Sequence, residues 1–149
     1  MKIKETYKTK EKIMNNSLTE EQVKVLNMSQ SVINEVRKVI IGKDEIIIKV
    51  LLSILAGGHI LIEDIPGVGK TTLAVALSKA LSLDYKRLQF TPDVLPTDVT
   101  GFTLLNKETH KFEYKQGAAL TNLFLADEIN RTSSKTQSAL LEVMEEGKV

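Results

Sequence analysis

The hydrophobic and polar positions at the start of this 149-residue chain follow the helical period. A capping-box pattern runs from Ser17 to Glu20, apolar residues then recur at helical spacing, and Gly42 ends this first predicted helix. A second helix is predicted over 45–56, with Asp44 as its N-cap. Its apolar residues run nearly all round the helix, so we expect it to be well buried.

Extended segments alternate with helices along the rest of the chain. Strands are predicted at 59–63, 86–90 and 123–126, helices at 72–81 and 135–146, and a hairpin at 102–105 and 111–114. Pro96 favours a short helix that Gly101 ends. Because strands that alternate with helices form parallel sheets, the pattern predicts an α/β fold with helices on both faces of a parallel sheet.

Composition adds few constraints. The chain is 42% hydrophobic, which is enough for one core, and its net charge of +1 gives no general attraction to nucleic acid. It contains no cysteine, which is compatible with a cytoplasmic location, and no apolar run reaches the ~20 residues of a membrane span. We interpret residues 1–16 as a basic, mobile tail, 17–56 as a helical segment and 57–149 as the part that carries the chemistry.

A glycine-containing loop lies between the first predicted strand and the third predicted helix. Gly67 and Gly69 let the backbone fold around an anion with no side chain in the way. The usual phosphate-binding pattern begins with glycine where this chain has Asp64, and aspartate tolerates turn geometry better than most residues. The loop therefore predicts a nucleoside triphosphate site.

The residues after this loop supply the remaining parts of such a site. Lys70 places a charge that can follow the β- and γ-phosphates, Thr71 offers its hydroxyl to Mg²⁺, and the amides up to Thr72 point inward. The simpler alternative is an ordinary strand–turn–helix in which a lysine happens to lie at the helix start. A pair of acids at the end of a later strand favours the phosphate site.

These two adjacent acids end the strand predicted at 123–126. We expect Asp127 to hold the magnesium ion or its water shell, and Glu128 to polarise the attacking water as a general base. Ligands of open α/β sheets lie at the carboxyl ends of the strands, which is where these acids stand. Two solvated acids in a turn are the alternative. With Lys70 and Glu128 as the catalytic pair, the sequence predicts binding and hydrolysis of a nucleoside triphosphate.

Other polar residues carry weaker signals. His59 and His110 are far apart in the sequence, and we expect neither a metal nor a general-base role for them. Arg131 could contact phosphate or a neighbouring chain, and a structural salt bridge explains it equally well.

Three blocks of sequence resemble those of MoxR-type AAA+ ATPases. They are ILIEDIPGVGKT at 60–71, similar to the family's Walker A; RLQFTPDVLPTDVTG at 87–101; and LADEINR at 125–131 with QSALLE at 137–142, similar to Walker B and its helix. The similarity extends from about Ser29 to the C-terminus. It implies a P-loop AAA+ fold in which the predicted hairpin is an insertion in helix 2, with ATP and Mg²⁺ as ligands.

The resemblance also implies further roles. Ile41 and Gly42 belong to a segment, 39–42, that packs beside adenine, and Pro66 and Val68 belong to the Walker A loop. Members act as homo-oligomers, often hexameric rings, that remodel or mature client proteins, frequently ones with a von Willebrand factor A domain. We expect neither a nucleic acid partner nor a membrane span.

Two functions stay open from the sequence. The family's sensor 1, arginine finger and sensor 2 would follow Val149, so we expect an incomplete AAA+ core, whether a natural fragment or a truncated product, and an isolated chain with little ATPase activity. The first function is an ATP-hydrolysing chaperone-type module, and the alternative is a nucleotide-binding or interaction fragment without turnover. A GTPase is disfavoured because no Asn-Lys-x-Asp guanine-reading element is present.

Overall fold

The computed structural model describes residues 18–63 and 69–147. The predicted tail and most of the phosphate loop, residues 64–68, lie outside these ranges. In chain order the elements are α1 Glu20–Arg37, α2 Asp44–Leu55, α3 Lys70–Ala80, β1 Tyr85–Gln89, α4 Pro96–Thr100, β2 Gly101–Asn106, β3 Lys111–Gln116, β4 Leu123–Asp127, a 3₁₀ turn Ile129–Arg131, and α5 Ser134–Glu146.

The capping box of α1 lies two residues after the predicted one. Thr19 is the N-cap, its hydroxyl accepts from the Gln22 amide, and the Gln22 side chain accepts from the Thr19 amide. The prediction of Ser17 and Glu20 as the box was therefore wrong. Thr-x-x-Gln satisfies the same two backbone donors as Ser-x-x-Glu, so the overlapping patterns compete and local sequence does not decide between them.

Two expectations about α2 were also wrong. Its N-cap is Lys43, because Asp44 is already helical and its carboxylate accepts from the Arg37 guanidinium at 2.9 Å. The helix buries one face only. Ile47 and Leu51 are buried, whereas Leu52 is 60% exposed. In the described part of the chain α2 packs mainly against α1, and a single neighbouring helix covers a single face.

The parallel pair of strands forms as predicted. β1 and β4 pair in parallel, with Arg87 opposite Leu125 and Gln89 opposite Asp127. The strand expected at 59–63 is absent from the sheets of the described residues, so that prediction was wrong. A strand is defined by the hydrogen bonds of a partner, which an apolar run does not encode. Ile62 packs instead against the apolar cluster that contains Val36 and Leu77.

Two apolar cores support these elements. The first joins α1, α2 and α3 and includes Val36, Ile47 and Leu77. The second centres on Phe90, Val99 and Leu140, where α4 packs against α5. The buried hydroxyl of Thr136 on α5 donates to the Val94 carbonyl at 2.8 Å, which fixes the loop after β1 to this helix.

The predicted hairpin is confirmed. β2 and β3 pair antiparallel, with Gly101 opposite Gln116 and Asn106 opposite Lys111. At its base the chain passes through Gly101, which has a φ of 94°, and Gly117. A Cβ on Gly117 would lie 2.2 Å from the Val99 carbonyl oxygen and 2.4 Å from the Gly101 nitrogen. The base of the hairpin therefore closes only because two glycines meet there.

No helix within residues 18–63 and 69–147 is long and apolar enough to cross a membrane.

Candidate functional site

The end of the phosphate loop passes directly into α3. Gly69 is the N-cap and adopts the left-handed conformation, with φ 88° and ψ 22°, which glycine reaches without the steric cost of a Cβ. Lys70 and Thr71 therefore occupy the first helical turn, two residues earlier than the predicted helix start at 72. The amides of a helix N-terminus can donate to an anion, so the start of α3 is compatible with the predicted phosphate site, which stays a prediction.

The sequence-predicted residues of this loop divide between described and undescribed parts of the chain. Gly69 and Lys70 are partly buried, as is Thr71, and Thr72 is exposed. Pro66, Gly67 and Val68 lie outside the described residues. Their roles stay predictions.

A small, mainly apolar cleft lies beside the start of α3. It brings the segment after α1 next to the end of the phosphate loop, and its lining residues are Ile40, Lys43, Ile46, Ile62, Gly69, Lys70 and Leu73. Ile41 points away, with 86% of its surface exposed, and Gly42 is also exposed. Within the predicted adenine segment, the side chain that reaches this cleft is that of Ile40.

The two acids lie where predicted, at the carboxyl end of β4. Asp127 is its last residue, and Glu128 follows with a left-handed backbone, φ 57° and ψ 43°. This conformation is uncommon for a residue with a side chain, and such residues are often found at functional sites. It turns the chain into the 3₁₀ turn, and both adjacent carboxylates reach partners on one face of β1.

Both carboxylates have polar partners that the sequence interpretation missed. Arg87 donates to Asp127 at 2.7 Å and Gln89 donates to Glu128 at 3.2 Å, both from the neighbouring strand β1. Arg131 forms an ion pair with Glu128 at 3.1 Å, which is the structural salt bridge that the sequence left open. The alternation along β1 places Arg87 and Gln89 on one face, but the register that brings them to the acids is not readable from local sequence.

A tyrosine lies on the same face of β1. The Tyr85 hydroxyl is buried and finds no hydrogen-bond partner among the described residues. Burial raises the pKa of Tyr85, and the negative charge of Asp127 adds to this while the positive charge of Arg87 opposes it. The charges of Asp127 and Arg87 therefore act on Tyr85 as well.

The helix that begins with the predicted phosphate residues contacts the strand that carries the acids. Helix α3, which begins at Lys70, packs against β4, which ends in Asp127. The donor set suits Mg²⁺, because a carboxylate and a hydroxyl are the hard oxygen ligands that this ion accepts beside phosphate. Asp127 would hold the ion from the strand side and Thr71 from the helix side.

The histidines take no part in this arrangement. The ring Nε2 of His59 lies 2.9 Å from the carbonyl oxygen of Met144 near the end of α5. His110 is exposed at the hairpin tip, with a φ of 50°.

A phosphate-type helix start packed against an acid-ended parallel strand is the arrangement of a P-loop ATPase. Residues 59–149 match the family described as ATPase family associated with various cellular activities (AAA). The chain belongs to this family, and its relatives place it in the MoxR group of AAA+ ATPases.

Three other proteins share extended similarity with the chain. It is 56% identical over 117 residues to YeaC of Bacillus subtilis and 41% identical over 112 residues to Chaperone MoxR1 of Mycobacterium tuberculosis. These alignments cover 78% and 75% of this chain but 37% and 30% of the relatives. A solved structure of a candidate ATPase from Cytophaga hutchinsonii is 46% identical in sequence, with a TM-score of 0.72. The superposition covers 83% of this chain and 37% of that protein. The chain thus spans about a third of the length of these relatives.

Proposed function

We propose that this chain binds Mg·ATP and hydrolyses it as part of a MoxR-like AAA+ ATPase that remodels or matures partner proteins. The observation that carries the proposal is the packing of α3, with Lys70 in its first turn, against β4, which ends in Asp127 and is followed directly by Glu128. Family membership supports nucleotide binding. The name Chaperone MoxR1 of one relative supports a client protein.

Each residue has a defined task in this proposal. Lys70 and the amides of Gly69 to Thr72 bind the phosphates, and Thr71 and Asp127 hold Mg²⁺. Glu128 accepts a proton from the attacking water. Ile40, together with Ile41 and Gly42, offers apolar contact to the adenine ring of the nucleotide. Bound Mg²⁺ supplies charge neutralisation between the phosphates.

The assembly and client belong to the same proposal. AAA+ ATPases commonly work as rings, so we infer a homo-oligomer, hexameric in the family's usual form, that acts on a client with a von Willebrand factor A domain. The inference rests on the family and on the relative named as a chaperone. Mass measurement of the purified chain with and without Mg·ATP tests the oligomer.

A lysine substitution tests binding. Lys70→Ala removes the charge aimed at the phosphates, so Mg·ATP affinity measured by calorimetry should fall at least tenfold, which corresponds to about 1.4 kcal/mol. Lys79→Ala is the matched control, because Lys79 lies in the last turn of the same helix. Equal ATP affinity for Lys70→Ala and the parent would contradict the site.

A second candidate function is nucleotide binding without turnover. It is favoured by one observation: the Glu128 carboxylate is already engaged by Gln89 and Arg131. In a chain extended to the length of its relatives, turnover by the parent discriminates the two functions, and Glu128→Gln then tests the general base because it keeps the shape of the side chain and loses the carboxylate. For the ATPase, binding should persist while turnover drops by about 10²-fold or more, with Glu142→Gln as an exposed control. Turnover that survives Glu128→Gln would exclude Glu128 as the base.

A further inference from the structure

Arg87 lies in β1, and its side chain contacts the proposed magnesium ligand, Asp127. Its Nη2 donates to Oδ2 of Asp127 at 2.7 Å, a charge-assisted contact of the short, strong kind. The Cα partner of Arg87 in the sheet is Leu125, two residues before Asp127, so both side chains lie on one face and Arg87 leans toward the carboxyl end. The contact therefore follows from strand register.

From this geometry we infer that Arg87 is a positioning residue that competes with Mg²⁺ for Asp127 and thereby sets the metal requirement of the site. The inference rests on the proposed function, because it assumes that Asp127 serves the Mg·nucleotide complex. It concerns a residue of β1, outside the phosphate loop and the acid pair.

The competition has two physical parts. One carboxylate oxygen of Asp127 already accepts from Arg87, which leaves fewer lone pairs for a metal ion or its water shell. A fixed positive charge beside the carboxylate also repels a divalent cation, and this repulsion is strongest where water is partly excluded. The Asp127 side chain is 26% exposed and that of Arg87 is 41% exposed, so solvent screens the pair only in part.

The pair also has an effect when no metal is bound. Asp127 would otherwise stand as an uncompensated, mostly buried negative charge beside Glu128. Arg87 offsets this charge, just as Arg131 pairs with Glu128 at 3.1 Å. The charge of each acid is thus balanced by an arginine. A metal ion that binds Asp127 must replace the Arg87 contact or share the carboxylate with it.

The test measures ATP binding as a function of free Mg²⁺ for the parent chain, Arg87→Gln and Arg87→Lys. Arg87→Gln should lower the Mg²⁺ concentration for half-maximal binding by about two- to fivefold, the range expected for a partly exposed ion pair. Arg87→Lys keeps the charge and should stay close to the parent. A midpoint that is unchanged or raised in Arg87→Gln would overturn the inference.

Another arginine–aspartate ion pair, away from the candidate site, provides the matched control. Arg37 pairs with Asp44 at 2.9 Å between α1 and α2, so Arg37→Gln removes an equivalent arginine–aspartate contact away from the acids. It should leave the Mg²⁺ midpoint unchanged. An equal shift in Arg37→Gln and Arg87→Gln would show a general effect of net charge and overturn the inference.

Two further arms separate the possible failures. In EDTA, ATP affinity should stay within about twofold in Arg87→Gln, and a tenfold loss there would make Arg87 a phosphate contact instead. In an Asp127→Asn background, Arg87→Gln should no longer move the midpoint, and a persisting shift would contradict competition at Asp127. A parent chain that binds no ATP at saturating Mg²⁺ would overturn the proposed function itself and this inference with it.

Discussion

Replacing Gly117 by alanine should destabilise the chain strongly, because the base of the hairpin leaves no room for a Cβ. The added atom would lie 2.2 Å from the Val99 oxygen, 2.4 Å from the Gly101 nitrogen and 2.6 Å from the Thr100 carbonyl carbon. Real Cβ atoms essentially never approach within 3.0 Å of another heavy atom. All three neighbours are backbone atoms, so the clash cannot be relieved by rotating a side chain.

The magnitude follows from the shift that relief requires. The backbone at the junction of α4 and β2 must move by about an ångström, and overpacking of this kind costs about 1–3 kcal/mol. Three simultaneous backbone contacts place Gly117→Ala near the upper end, at about 3 kcal/mol. For a chain of this size, each kcal/mol lowers the melting temperature by about 2–4 °C. We therefore expect a fall of about 6–12 °C, or complete loss of the folded state.

Circular dichroism during thermal and urea unfolding measures this cost. Gly58→Ala is the matched control, because the nearest atom to its Cβ is the Ser53 oxygen at 3.5 Å, an ordinary contact. It should change the unfolding free energy by less than about 0.5 kcal/mol. If Gly117→Ala were as stable as Gly58→Ala, the close approach at the hairpin base would be wrong.

The remaining predictions concern single polar groups. Thr136→Val should cost about 1–2 kcal/mol in urea unfolding, because the buried hydroxyl donates to Val94 at 2.8 Å, and a variant as stable as the parent would refute that bond. Thr19→Ala should cost about 1 kcal/mol through loss of the cap of α1, whereas an unchanged melting curve would show that the cap adds nothing. Tyr85→Phe should match or exceed the parent at neutral pH, since the hydroxyl has no partner among the described residues, and a marked loss would reveal one. Because burial raises the pKa of Tyr85 above the ordinary tyrosine value of about 10, the parent should lose more stability than Tyr85→Phe as pH rises beyond that value, so equal losses would contradict the raised pKa.

Local sequence predicted those parts of the fold whose signals are local. The turn-rich segment between β2 and β3 marked the hairpin, and the apolar run before Asp127 marked β4. The strand expected at 59–63 failed because its hydrogen-bonding partner is a matter of tertiary structure. Asp44 failed as a cap because Arg37, seven residues earlier, binds its carboxylate.

The candidate site shows the same division. Lys70, Thr71 and the acid pair could be predicted as site residues because they stand in contiguous motifs, and their roles stay predictions. Arg87 and Gln89 were missed because their contacts depend on the register of two strands separated by more than 30 residues. The side chains that tune the acids are thus harder to identify from sequence than the acids themselves.

Because its two ends are paired with each other, the hairpin can change in length without changing the rest of the fold. The chain leaves the body at Gly101 and returns at its register partner Gln116, so adding or deleting residue pairs at the far end does not alter the path of the chain from Gly117 onward. All four residues of that end, 107–110, are exposed. Exposed tips of this kind tolerate insertions, so a short peptide tag could be placed there. A cysteine introduced at the tip could be labelled with a dye at that position alone, because the chain has no other cysteine. Evolution can use the same freedom to vary the length of the hairpin while the acid-bearing strands stay unchanged.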